Sequence, residues 1–145
     1  MSRLLCLLLV FATCACTEPD PEEQAQLDKE RLAREIIDEV TPYVEKYIEN
    51  MKTRNLDALY DGYSTQYRSQ FKFEDLKKHW EAVGDRYVAL AKSIRVSWIK
   101  PDGIYAIVQL KSMQGTEHIA LIREDEVWKI HRASKNLSLL LRSLQ

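Results

Sequence analysis

A chain of 145 residues, 46% hydrophobic and 30% charged, has the size and balance of one globular domain and is too short for two ordinary ones. A formal charge of -1 leaves no basic footprint for nucleic acid. The three cysteines, Cys6, Cys14 and Cys16, all lie in the first sixteen residues, so none remains downstream for a disulfide framework or a thiolate metal site.

The N-terminus reads as an address. Arg3 precedes an unbroken apolar run, Leu4 to Ala12, and the small residues Thr13, Cys14 and Ala15 lead to Cys16. This is the order of a secretory signal peptide over residues 1–15, and the run is shorter than the ~20 apolar residues of a membrane-spanning helix. The end of the run resembles the lipobox of bacterial lipoproteins. That resemblance implies cleavage after Ala15 and lipidation of Cys16, with Thr13 and Cys14 departing from the usual residues. Ordinary cleavage after Ala15, releasing a soluble protein, is the alternative. Thr17, as a residue other than Asp after the cysteine, implies by the same resemblance an anchor in the inner leaflet of the outer membrane, facing the periplasm. More than one acyl chain makes such an anchor stable. Residues 16–26, acidic and proline-containing, are expected to form a flexible tether.

Residues 27–145 are expected to fold as one domain. Leu32, Ala33, Ile36, Ile37, Val40, Val44, Tyr47, Ile48 and Met51 recur at the three-and-four spacing of a helix with one buried stripe, with a kink or restart expected at Thr41-Pro42. Asn55–Tyr60 and Ser64–Arg68 suggest two short helices. A further helix is expected from Phe73 to Val83, with Leu76, Trp80 and Val83 on its apolar face and Gly84 as its stop. The stretch from Arg86 to Lys92 fits a strand or a helix tail and is assigned to a bent strand running into Ile94.

Three tight turns then separate alternating apolar runs, which predicts an antiparallel meander. Its expected inner face comprises Ile94, Val96, Trp98, Ile104, Ala106, Val108, Leu110, Trp128 and Ile130. His118 joins that face only if Ala120 and Ile122 do, and Ile119 with Leu121 form the competing face. His131 is expected to point outward. The tail after Ala133 places Leu137, Leu140, Leu141 and Leu144 at helical spacing and is expected either to cover the domain or to offer a docking patch.

This order of helices and meander, carried by Asn55-Leu56-Asp57-Ala58-Leu59-Tyr60, Gly103-Ile104-Tyr105-Ala106-Ile107-Val108 and Val127-Trp128-Lys129-Ile130, resembles the nuclear transport factor 2-like superfamily. The resemblance implies an α+β fold, N-terminal helices packed on a curved antiparallel sheet in a cystatin-like cone. Where that family usually has glycine in the last turn, this chain has Asp125-Glu126. The fold hosts enzymes, ligand carriers and interaction modules, so it does not decide function.

No Ser-His-Asp set, metal-ligand cluster or phosphate loop can be assembled from the spacing. We therefore expect no catalytic residues, metal or cofactor, and a non-catalytic, membrane-anchored periplasmic domain that binds a partner protein or envelope component. The alternative is small apolar-ligand binding or weak enzyme activity in a cone pocket lined by Tyr60, Tyr63, Tyr67, Trp80, Trp98, His118 and Trp128. A homodimer is a further expected assembly, and an immunity or inhibitor lipoprotein is compatible with the size.

Overall fold

The computed structural model describes residues 20 to 133; the signal peptide, Cys16 and the leucine-rich tail lie outside the described residues. Four helices precede four strands: α1 (Pro21–Thr53), α2 (Leu56–Asp61), α3 (Thr65–Arg68), α4 (Phe73–Ser93), β1 (Arg95–Asp102), β2 (Tyr105–Ser112), β3 (Gly115–Glu124) and β4 (Val127–Ala133). The strands form one antiparallel sheet in chain order, with helices packed on it, as the α+β reading expects.

Helix α1 begins at Pro21 and takes in residues assigned to a flexible tether. Asp20 supplies the reason: its Oδ1 accepts the Glu22 N–H at 3.1 Å, and Pro21 occupies the first helical position, where a missing N–H costs nothing. The helix also passes through Pro42 without restarting, and Thr41 Oγ1 donates to the Ile37 carbonyl at 2.7 Å. At 33 residues α1 is about 50 Å long.

Only its second part is buried, from Ile36 through Val40, Val44, Tyr47 and Ile48 to Met51. Leu27 and Leu32 stay 50% and 57% exposed, because α4 and the sheet do not reach that far along the helix. Side chains one turn apart support this free part: Arg31 pairs with Asp28 at 3.1 Å, Arg34 with Glu30 at 3.6 Å, and Gln24 and Gln26 donate to Asp28 and Glu30.

Helix α4 corrects two expectations at once. It runs through Gly84 and absorbs the Arg86–Lys92 stretch that alternation assigned to a strand. Trp80, Gly84, Tyr87 and Ala91 are buried on one helical face, and a Cβ at Gly84 would lie 3.1 Å from the Trp80 ring. Gly84 is therefore a contact that lets the indole lie flat, and the helix continues past it. At the start of α4, Asp75 Oδ2 accepts the Lys72 N–H at 3.0 Å.

The sheet buries Ala106, Val108, Leu110, Ile119, Leu121, Trp128 and Ile130 against Met51, Leu59 and Leu76. Two expected members of that face lie elsewhere. Register shifts between Val96 and Trp98, so that Ile99 opposes Val108 while Trp98 opposes Gln109 on the outer face. Ile104 sits in the tight turn after Asp102 and is 61% exposed. Glu117, paired with Leu110, is a buried inner-face residue that the apolar pattern did not flag.

The last hairpin turn places Asp125 and Glu126 at φ 49° and 64°, the left-handed pair that two-residue hairpins favour. Non-glycine residues resist that conformation by roughly 1–2 kcal/mol each. Glu126→Gly is expected to raise unfolding free energy by about 0.5–1 kcal/mol, since the Arg123–Glu126 ion pair it removes is solvent-exposed and worth little. A urea midpoint that stays put or falls in this variant would show that the turn carries no such strain.

Candidate functional site

The seven residues expected to line a cone pocket do not come together around a cavity. Tyr63, Tyr67, Trp80 and Trp128 are buried in the core, whereas Trp98 and His118 meet on the outer face with ring centroids 5.8 Å apart. His118 is therefore outside, its Nε2 3.1 Å from Gln109 Nε2, and Ile119 and Leu121 form the buried face of β3. Tyr60 stands edge-on to Phe71 and Phe73 at the margin of the core.

The interior is instead filled by edge-to-face aromatics. Tyr63 meets Tyr47 at 6.3 Å, Tyr67 at 5.1 Å and Phe71 at 5.7 Å. Trp128 Nε1 reaches out of this core to donate to Glu39 Oε2 at 3.1 Å, and Glu39 is also 3.4 Å from the Arg123 guanidinium. Tyr67 Oη and Trp80 Nε1 are buried with no hydrogen-bond partner among the described residues.

Comparison with known protein families, curated proteins and solved structures gives no match.

A concavity lies beside the core, between α1, α2 and β4. Tyr43, Lys46, Tyr47 and Asn50 enter it from α1, positions three and four apart that form a stripe next to the buried one. Ala58, Asp61 and Gly62 close it from α2, and Val127 and Lys129 from β4. Its volume is about 320 Å³, at the lower end of the range for small-molecule sites.

The cleft is held together by backbone geometry. The Ile130 N–H donates to the Gly62 carbonyl at 2.8 Å and the Ser64 N–H to the Ile130 carbonyl at 2.8 Å, which ties the loop after α2 to the edge of β4. Tyr43 Oη donates to the same Gly62 carbonyl at 2.6 Å. Gly62 permits that approach because it has no Cβ; one built there would stand 3.2 Å from the Tyr43 hydroxyl. On the floor Tyr47 Oη lies 3.5 Å from Tyr63 Oη.

Burial pushes the phenols of Tyr43, Tyr47, Tyr63 and Tyr67 well above the ordinary value of 10.0; at Tyr43 the backbone amide of Ile130 opposes the shift in part. They stay protonated in any physiological buffer, so the fixed positive charge of the cleft comes from Lys46 and Lys129. Asp61 shares the rim and lies 3.8 Å from the Arg68 guanidinium. Neither lysine has a carboxylate within ion-pair distance among the described residues.

Two other groupings have structural roles. Ser64, fully buried, caps α3 by accepting the Tyr67 N–H at 3.1 Å, and its Oγ lies 3.3 Å from His131 Nδ1. His131 lies on the outer face, as expected, half-buried against Tyr105 with ring centroids 5.8 Å apart. Among the described residues no three His, Cys, Asp or Glu side chains are grouped to hold a metal ion. No described helix is long and apolar enough to cross a membrane.

The sequence signal for the cleft was the Tyr43, Lys46, Tyr47, Asn50 series, two tyrosines and an amide one helical turn apart beside a lysine.

Proposed function

We propose that this chain is a non-catalytic, lipid-anchored domain of the cell envelope, built on a nuclear transport factor 2-like plan, that presents a binding body to a partner protein or envelope component at the periplasmic side of the outer membrane. The observation that carries this reading is the free part of α1. From Pro21 to Glu35 the helix carries no buried residue, about 22 Å of rod ahead of the first buried one, Ile36. A solvated helix reinforced by ion pairs contributes no core of its own, and a stand-off role accounts for its length. Residues 21–26, expected to be part of a flexible tether, belong to this charged rod.

Cys16→Ala is expected to move the protein from the membrane fraction to the soluble fraction, or to leave it unprocessed, and to abolish labelling with a fatty-acid probe. Membrane fractionation and labelling equal to those of the native chain would remove the anchor. Photocrosslinking from Trp98 or Tyr105 on the outer sheet face, in intact envelopes, is expected to give discrete adducts. Adducts no different from those of a probe placed at Leu27 would count against a partner on that face.

A second reading, small-ligand binding, is favoured by the cleft at Tyr43. It places a ligand between helix and sheet edge, with the core left filled.

A further inference from the structure

The cleft has an inventory that narrows what it can accept. Its walls are the rings of Tyr43 and Tyr47 with Ala58 and Val127, and Val127 remains 49% exposed at the lip, an apolar surface without a covering side chain. The Tyr43 hydroxyl has committed its proton to the Gly62 carbonyl. Asp61 faces Arg68, so the one carboxylate at the rim already has a cation beside it.

Donors remain in excess. Lys129 Nζ gives one hydrogen to the Asp61 carbonyl, which fixes the ammonium at the rim and leaves two more to offer. Lys46, an exposed residue of the facing helix, adds its three ammonium hydrogens from the other side. Asn50, one turn further along α1, can add an amide. Two ammonium groups above an apolar slot match a carboxylate or sulfonate on a hydrophobic body, because charge-assisted hydrogen bonds are the strong ones and the ring walls bury the rest. A cation would meet the lysines, and a neutral apolar molecule would leave them unanswered.

We propose that this cleft binds a small amphipathic organic acid, its anionic head between Lys46 and Lys129 and its apolar body against Tyr43, Tyr47 and Val127; this inference rests on the small-ligand reading above. The site does not depend on the lipid anchor.

The test is isothermal titration of the full mature chain in phosphatidylcholine nanodiscs, with empty nanodiscs as blank, using 2-naphthoate as probe and its neutral isostere 2-naphthamide as comparison. Naphthoate is expected to bind one per chain, at least tenfold more tightly than the amide. Lys46→Glu, a substitution at an exposed position, is expected to weaken naphthoate at least tenfold and leave the amide unchanged. Ala58→Phe, which fills the cleft, is expected to abolish both, with circular dichroism confirming that each variant is folded. Equal affinity for acid and amide would overturn the anion assignment while the cleft stood as a ligand site. Absence of saturable binding by either probe, or binding unaffected by a folded Ala58→Phe, would overturn both.

Discussion

Raising the pH from about 9 to about 12.5 is expected to unfold the domain cooperatively, with tyrosinate absorbance and loss of helical signal rising together. The cause is the group of phenols that burial holds protonated, Tyr43, Tyr47, Tyr63 and Tyr67. In the unfolded chain each ionises near 10. A folded-state value raised above the unfolded one gives stability that is complete below pH 10 and is lost as pH climbs beyond it. Above that point the native state holds more protons than the unfolded state, so each tyrosine lowers the unfolding free energy by about 1.4 kcal/mol per pH unit. Four together give a slope of roughly 5–6 kcal/mol per unit, enough to exhaust a typical domain stability of about 5–15 kcal/mol within one to three units. Tyrosinate appearing near pH 10 for these four while the helical signal persists would mean that the aromatic interior is open to water.

Ile130→Ala is expected to cost about 2–5 kcal/mol and to lower Tm by roughly 10 °C or more. Its side chain is fully buried between β3 and the helices. Its backbone is bonded on both sides of the same residue, to Gly62 and from Ser64, at the one parallel bridge of the structure among the described residues. Loosening the side chain therefore strains the strand edge that shapes the cleft. Ile130→Val, which keeps the branched shape, is expected to cost only about 0.5–1.5 kcal/mol. Chemical denaturation of the two variants checks the ratio. Equal losses would show that the cavity left by the side chain is not the cause.

Much of the fold is legible without coordinates because helical and alternating periodicities are long here and agree with the turns. The Ile36-to-Met51 stripe and the β2 alternation of Ala106, Val108 and Leu110 are cases where burial follows the pattern. The errors arise where one residue type supports two readings. Gly84 suits a helix stop as well as a close contact with Trp80, and only the position of that indole decides. Tyr87, Val88 and Leu90 suit a strand, yet Trp80, Gly84, Tyr87 and Ala91 carry the helical spacing that prevails. Trp98 and Ile99 are adjacent and both apolar, so alternation alone cannot say which faces inward. The irregularity at Ser97 gives the place to Ile99.

The functional surface is harder to read for a related reason. Large aromatics are natural candidates for a pocket, but they also release the most free energy when packed, and Tyr63, Tyr67 and Trp80 are spent in that way. The cleft is built at the border of the buried stripe, where Tyr43 and Tyr47 are part core and part wall. Its lysines come from helix and sheet positions more than eighty residues apart in sequence, Lys46 and Lys129, and nothing local in either stretch announces the other.

The irregularity in β1 also bears on how crowded copies of this protein behave. One side of the sheet is closed, since β4 is bonded to the loop at Gly62 and Ser64, and β1 is the outermost strand on the other. An outermost strand with a straight run of free amides is a template for another chain. Here the run is broken at Ser97, Pro101 has no amide hydrogen to give, and Arg95 and Lys100 place cations along the strand. Copies of this domain that meet edge to edge thus find no straight run of free amides to extend, and the border the fold leaves exposed is a poor template for added strands.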